Sequence, residues 1–168
     1  KAPQEARFRR GPDGPMPRRP LGAAGGCGRL GPVAPELPGA MEFVRAAAEM
    51  GITVSVGRTV TEYDTASAAY EAGARQATHL FNAMPPFTHR SPGVIGAAFD
   101  HPEVRAELIC DGIHIHPSVV RATFQLFGKE RVILVSDSLR ATGMPDGKYP
   151  FGGQEIVVHG NRATMADD

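Results

Sequence analysis

The stretch THLFNAM, residues 78–84, ends one strand-like segment and opens a polar loop. Its histidine, His79, stands where the apolar segment that begins at Gln76 stops. A side chain in that position points out of the edge of a sheet, where it can bind a metal ion or a substrate. Two other apolar segments end in the same way, at DGIH (residues 111–114) and at SDS (residues 136–138). Polar residues that end several strands in succession indicate a site at one edge of a sheet.

Strand-like and helix-like segments alternate on both sides of this stretch. Apolar, β-rich segments predict five strands at 30–34, 52–56, 76–80, 104–110 and 131–135. Helical periodicity predicts helices at 39–50, at about 61–73 and at 117–128, with a long loop between the third and fourth strands. This alternation favours an α/β fold with a parallel sheet, and the near-continuous apolar strands indicate that both faces are covered. Five strands are too few to close an eight-stranded barrel.

The two ends of the chain differ from this central part. Residues 1–29 are rich in Gly, Pro and Arg without apolar periodicity, so we expect an irregular segment there, with a basic nucleic-acid-binding arm as the alternative. Residues 149–168 predict a β-hairpin around the turn His159-Gly160-Asn161. The expected division is therefore 1–29, 30–148 and 149–168, with the hairpin in a separate β module.

Composition narrows the class of protein. The chain has 168 residues, enough for one ordinary domain, and its formal net charge is zero. We therefore expect neither a nucleic-acid partner nor a membrane partner, and no apolar stretch is long enough to cross a bilayer. Cys27 and Cys110 are isolated in the sequence, which favours reduced thiols and a cytoplasmic protein over a disulfide.

Four motifs in order carry a resemblance to a known family. They are THLFNAM (78–84), HRSPGVIGAA (89–98), AELICDGIHIHP (106–117) and SDSLRATGMPDGKYPFGGQ (136–154). The chain resembles the N-acetylglucosamine-6-phosphate deacetylases of the amidohydrolase superfamily from about Val33 onward. The resemblance implies a (β/α)₈ TIM-type barrel with a small β-sandwich, of which this chain would be a fragment from the C-terminal half: a partial barrel plus a hairpin of the sandwich.

The resemblance also implies an activity and its partners. The family removes acetate from N-acetylglucosamine 6-phosphate in amino-sugar catabolism, giving glucosamine 6-phosphate. A divalent metal, zinc or alternatively iron, would supply the nucleophile by lowering the pKa of bound water. The expected partners are the small-molecule amino-sugar phosphate and, for the intact protein, further copies of itself in a homodimer or a higher homo-oligomer.

Two residues would carry the chemistry by this resemblance. His79 matches a metal ligand; the structural alternative is a strand-end histidine bonded to a neighbouring carbonyl. Asp137 matches the catalytic carboxylate, which moves a proton from water to the departing amine; the alternative is a helix or loop cap, a common role for Asp beside serines.

Substrate contacts are implied at further positions. Asn82 and Ala83 would meet the phosphate through side-chain and backbone donors, and Arg90 would add a charged fork. Without the family motif, Arg90 in a polar loop would be interpreted as a solvent-exposed charge with no specific role. The motif Asp111-Gly112-Ile113-His114 would contact substrate through His114, whereas His116, before Pro117, is predicted to cap a helix.

One departure from the family pattern concerns the metal. The family has Gly-His-Thr where this chain has Gly57-Arg58-Thr59, and that histidine binds metal. Arg58 cannot deprotonate to become a ligand, and the family's upstream metal-binding Glu motif has no match in this sequence, so we expect weak metal binding. The chain would be an incomplete fragment, either active or inactive as a deacetylase. Two alternatives stay open: a non-catalytic sugar-phosphate-binding remnant, and an amidohydrolase that acts on another amide.

Overall fold

The computed structural model describes residues 30–165 and confirms the predicted parallel sheet. Its five strands pair in chain order, each parallel to the next. The strands are β1 (Leu30–Val33), β2 (Thr53–Val56), β3 (Gln76–Ala77), β4 (Arg105–Ile109) and β5 (Val132–Val135). The predicted irregular segment 1–29 lies outside the described residues. Because all strands run the same way, the loops that follow them emerge at one edge, which we call the carboxyl edge.

Four helices connect these strands, and one of them was not predicted. They are α1 (Ala40–Glu49), α2 (Tyr63–Glu71), α3 (Gly93–Asp100) and α4 (Pro117–Phe127). The expected long loop after β3 contains α3, whose residues Gly93 to Ala98 are all buried. A helix buried on every side has no polar face and hence no visible helical period. No helix within residues 30–165 is long and apolar enough to cross a membrane.

The ends of three helices differ in their surroundings. Met50, at the C-cap of α1, is 58% exposed. Helix α2 has Glu62 at its N-cap and no side-chain cap. The predicted cap on α4 is confirmed, because the N–H of Ser118 donates to Nδ1 of His116 at 3.2 Å and Pro117 opens the helix.

The core lies between the sheet and its helices. Its largest fully buried side chains come from β2, β4, α1, α2 and α3, with a further contribution from the turn after β3: Val44, Val54, Val56, Tyr70, Leu80, Val94, Ile95 and Leu108. Burial raises the pKa of the Tyr70 hydroxyl. This packing fixes the strands and therefore the starting points of the loops at the carboxyl edge.

The chain divides into two compact units between Val135 and Ser136, earlier than the boundary that we expected at 148/149. The second unit holds an antiparallel sheet of β6 (Gly147–Phe151), β7 (Gln154–His159) and β8 (Arg162–Met165). The predicted hairpin is β7 and β8, and β6 is an additional strand. Ala141, Ile156 and Val158 form a small buried cluster in this unit.

Arg131, just before β5, joins three elements of the first unit. Its Nε donates to the Val104 carbonyl at 2.9 Å, its Nη2 donates to the Ala98 carbonyl at 2.6 Å, and its guanidinium lies 4.8 Å from the centre of the Phe127 ring. Arg131→Ala is expected to lower the free energy of unfolding by about 1–2 kcal/mol, measured by urea denaturation. Arg131→Lys should recover only part of the lost free energy of unfolding, because lysine lacks the planar guanidinium group with its several N–H donors.

The matched control for this prediction is Arg121→Ala. Arg121 is exposed on α4 and makes no hydrogen bond or ion pair with the described residues. Its loss should change the free energy of unfolding by less than about 0.5 kcal/mol. Equal effects of the two alanine variants would show that the Arg131 contacts contribute nothing specific.

Candidate functional site

The loops at the carboxyl edge have an unusual backbone. Within the described part of the first unit, the non-glycine residues with positive φ are Arg58 (53°), His79 (31°), Phe81 (75°) and Ala83 (50°). All four follow β2 or β3, which are adjacent strands. Such conformations cost about 1–3 kcal/mol each and persist only where the surroundings enforce them. The loops are therefore held in specific shapes at the place where the sequence predicts a site.

His79 is a buried histidine at the end of β3. Only 4% of its surface is exposed, and its Nδ1 has no hydrogen-bond partner within residues 30–165. The expected strand 76–80 stops at Ala77, since the chain turns at His79. An unpaired buried ring nitrogen is costly unless something outside the chain binds it. The Nδ1 atom is therefore a candidate ligand atom, and the carbonyl-bonded alternative finds no support at this nitrogen.

Asn82 and Ala83 form the next part of the same turn. Asn82 donates through its side-chain Nδ2 to the carbonyls of His79 at 3.3 Å and Leu80 at 3.2 Å. Its backbone N–H also donates to the His79 carbonyl, at 3.0 Å. The Ala83 residue is exposed, and its carbonyl accepts the N–H of Thr59 at 3.1 Å. Asn82 thus shapes the turn, while Ala83 joins the loop after β3 to the loop after β2.

Glu36, in the loop after β1, extends this network and was missed in the sequence. Its carboxylate accepts the Thr59 hydroxyl and, at 3.0 Å, the N–H of Val60. Together with the contact between Thr59 and Ala83, these bonds link the loops after β1, β2 and β3. The run Ala34-Pro35-Glu36 belongs to the region of resemblance, but a single sequence does not show which distant hydroxyl a carboxylate will meet.

The two arginines of the candidate site differ in their local setting. Arg58 follows the buried Gly57 at the end of β2 and is exposed. Arg90 is exposed in the long segment between β3 and α3, next to a turn in which the Ser91 N–H donates to the Thr88 hydroxyl at 3.0 Å. Both arginines thus lie on the surface of the first unit.

The motif Asp111 to His114 forms a tight turn after β4. One carboxylate oxygen of Asp111 accepts the N–H groups of Ile113 and His114, both at 2.9 Å. The other lies 2.6 Å from Nδ1 of His114, and Gly112 supplies a φ of 74°. Burial raises the pKa of Asp111, but these N–H groups and the imidazole outweigh burial and hold that pKa at about 2. Asp111 therefore orients His114, so the predicted motif acts as one unit.

This turn should loosen in acid. Because the pKa of Asp111 in the folded chain, about 2, lies below its ordinary value of 3.8, the carboxylate stabilises the turn fully above about pH 4. That stabilisation is lost as the pH falls from about 4 through about 2, which the His114 amide resonance should report. Asp111→Asn should abolish this pH dependence; an identical titration in the variant would contradict the assignment.

Asp137 belongs to the second unit and is described there by itself. It follows Val135 by two residues, has a φ of 46° and is exposed. The flanking hydroxyls of Ser138 and Ser136 bond to each other at 2.9 Å. The Asp137 carboxylate makes no hydrogen bond or ion pair with described residues, so the capping alternative finds no support. The catalytic role of Asp137 stays a prediction.

The donor set of residues 30–165 does not by itself fit a metal centre. Within residues 30–165 no group of three or more His, Cys, Asp or Glu side chains could hold a metal ion. The buried Nδ1 of His79 suits one ligand position, but Arg58 offers a fixed positive charge and no donor lone pair. We therefore derive no reaction step through a metal.

Comparison with curated proteins finds deacetylases. No protein-family profile matches the chain. The N-acetylglucosamine-6-phosphate deacetylase of Bacillus subtilis (strain 168) is 44% identical over 144 residues, which cover 86% of this chain and 36% of that protein. The protein of the same name from Bos taurus is 38% identical over 143 residues, and an N-acetylgalactosamine-6-phosphate deacetylase from Escherichia coli O157:H7 is 36% identical over 138 residues.

Solved structures agree with this result. A mutant N-acetyl-D-glucosamine-6-phosphate deacetylase from Mycobacterium smegmatis, in complex with N-acetyl-D-glucosamine-6-phosphate, has a TM-score of 0.84 and 38% identity over 88% of this chain and 39% of its own. The enzyme from Thermotoga maritima has a TM-score of 0.82, with 27% identity over 91% of this chain and 42% of its own. The chain spans little more than a third of the curated relatives that it matches. Over that span, the chain is similar in sequence and in fold to N-acetylglucosamine-6-phosphate deacetylases.

Proposed function

We propose that this chain carries the sugar-phosphate-binding part of a metal-dependent N-acetylglucosamine-6-phosphate deacetylase site, which hydrolyses the substrate to glucosamine 6-phosphate and acetate. The observation that carries the proposal is the buried His79 imidazole, whose Nδ1 lacks a partner among the described residues, in the turn that also holds Asn82 and Ala83. The names of the relatives and the sugar phosphate bound by the Mycobacterium smegmatis enzyme support the choice of substrate.

The residues of the carboxyl edge have separate roles in this proposal. The exposed Ala83 backbone and the Arg90 guanidinium would bind the phosphate, and His114, held by Asp111, would donate a hydrogen bond to the sugar phosphate. Asp137 would accept a proton from the attacking water and return it to the amine nitrogen as the amide bond breaks. By resemblance, zinc would be the metal of the family's site and His79 one of its ligands; residues 30–165 do not hold the remaining ligands.

Arg58 supports a second candidate function. A guanidinium at the end of β2 disfavours a nearby cation and favours an anion. Without a second imidazole, the same loops could bind a sugar phosphate and leave its amide intact. In that case, the chain would be a non-catalytic binding module of the deacetylase family.

Two further parts of the leading proposal rest on resemblance only. They are the assembly of the intact protein into a homodimer or a higher homo-oligomer, and a cytoplasmic location.

A hybrid enzyme separates the two candidates. The matching segment of the Bacillus subtilis relative would be replaced by residues 33–165 of this chain, with and without Arg58→His, and acetate release from N-acetylglucosamine 6-phosphate would be followed with zinc present. We expect sugar-phosphate binding by both hybrids and acetate release only after Arg58→His. Acetate release by both hybrids would show that Arg58 does not prevent catalysis, and would favour the deacetylase over the non-catalytic binding module. Failure of both hybrids to bind the sugar phosphate would overturn the proposal.

A further inference from the structure

Two successive N–H groups at the end of β3 point to the same residue of β4. In a regular strand, consecutive N–H groups point to opposite neighbours. Here the Thr78 N–H donates to the Val56 carbonyl of β2 at 2.8 Å, as expected. The next two, those of His79 and Leu80, both donate to Glu107, the first to its carboxylate at 3.1 Å and the second to its carbonyl at 2.8 Å. This pattern requires the chain to turn at His79, where φ is 31°.

Glu107 is an unusual residue for the middle of a parallel strand. It is half-buried in β4 and makes no ion pair with any residue between 30 and 165. A carboxylate in such a place needs hydrogen-bond donors to offset its lost hydration. The donors are the His79 N–H and the side-chain amide of Gln76, itself buried on β3. Both carboxylate oxygens of Glu107 therefore accept hydrogen bonds from β3 and the turn that follows it.

We infer that Glu107 is a positioning residue for His79: its carboxylate holds the His79 backbone in the turn that buries the imidazole at the carboxyl edge. Gln76 fixes the other carboxylate oxygen and so orients the group. A backbone amide bonded to a carboxylate is held more strongly than one bonded to a neutral acceptor. The inference deepens the proposed function, because it rests on His79 as the ligand-bearing residue of the site.

Amide hydrogen exchange and side-chain NMR of the full chain, without metal or substrate, test this inference. Glu107→Ala should speed exchange of the His79 amide by about 10- to 100-fold, the effect of losing a hydrogen bond to a charged group. The imidazole nitrogen resonances of His79 should move, while those of His101 and His159 should not. Glu107→Gln keeps an acceptor oxygen and should restore most of the protection. A general loss of protection along β3 and β4, without a specific change at His79, would overturn the inference.

Two further measurements keep the test decisive. Glu103→Gln removes an exposed carboxylate whose contacts are with His101 and Arg75, and it should leave the His79 signals unchanged. If Glu107→Ala does not fold, the inference can be tested on the wild-type chain by NMR. A scalar coupling across the hydrogen bond, from the His79 amide nitrogen to the Glu107 carboxyl carbon, is expected, and its absence would refute the inference. If the coupling is present but the addition of zinc does not change the His79 resonances, the positioning role of Glu107 is retained. In that case only the proposed function, in which His79 is a metal ligand, is refuted.

Discussion

Arg58→His is expected to raise the affinity of the chain for zinc by at least about 100-fold, which is about 2.7 kcal/mol of binding free energy. The substitution removes a fixed positive charge and adds a nitrogen donor at the end of β2. Since β2 pairs with β3 in parallel register, the new imidazole would follow the strand next to the one that leads to His79. Zinc binding by competition with a chromophoric chelator gives the two dissociation constants.

Two control variants separate the contributions of charge and ligand. Arg58→Ala removes the cation, and any contact of its side chain, without adding a donor, so its zinc affinity should lie between those of the other two proteins. Arg90→His makes the same chemical change in an exposed loop and should leave zinc affinity unchanged. If Arg58→His binds zinc no better than Arg58→Ala, the imidazole at that position does not act as a ligand.

Gly57→Ala should lower the free energy of unfolding by about 2–3 kcal/mol, as overpacking does in a closely packed site. A Cβ atom at Gly57 would lie 2.5 Å from Cβ of Thr78 and 3.3 Å from the Thr78 carbonyl oxygen. Thr78 cannot move away freely, because its hydroxyl is bonded to that of Ser55 at 2.6 Å and its N–H is bonded to Val56. The strain would therefore pass to the adjoining turn at His79. Urea denaturation measures the loss of stability.

The chain offers a matched glycine and a compensating change. Gly31, in β1, has no atom within 4 Å of the position that a Cβ would take, so Gly31→Ala should be neutral or slightly stabilising. In the double variant Gly57→Ala with Thr78→Gly, the clash with the threonine side chain is gone and the two changes should couple favourably. Additive effects of the two substitutions would show that the close approach is not the cause.

The order of elements could be predicted from sequence, but one helix and the end of one strand could not. Apolar runs and glycine stops located the five strands, because buried parallel strands and helix ends have strong local signals. Helix α3 was missed since its residues 93–98 are buried all round and show no polar face. Strand β3 was expected to reach Leu80, but the turn at His79 depends on the Glu107 side chain, 28 residues further along the chain.

The candidate site was predicted in part, and largely through resemblance. Physical reasoning from the residues placed His79 and Asp111 at strand ends, which the structure confirms for β3 and β4. Roles as ligand or catalyst came from the motifs and stay proposals. The supporting carboxylates Glu36 and Glu107 were not predicted, because their partners are distant in sequence and only the fold brings them together.

The most direct test of the central claim is a titration of the chain with N-acetylglucosamine 6-phosphate, followed through the backbone amide resonances. Our account predicts that His79, Ala83 and His114, all of the first unit, shift together with one dissociation constant, and that N-acetylglucosamine without phosphate causes no comparable shift. Shifts confined to one of these three residues, or equal shifts with both sugars, would contradict the claim that these residues form one sugar-phosphate site.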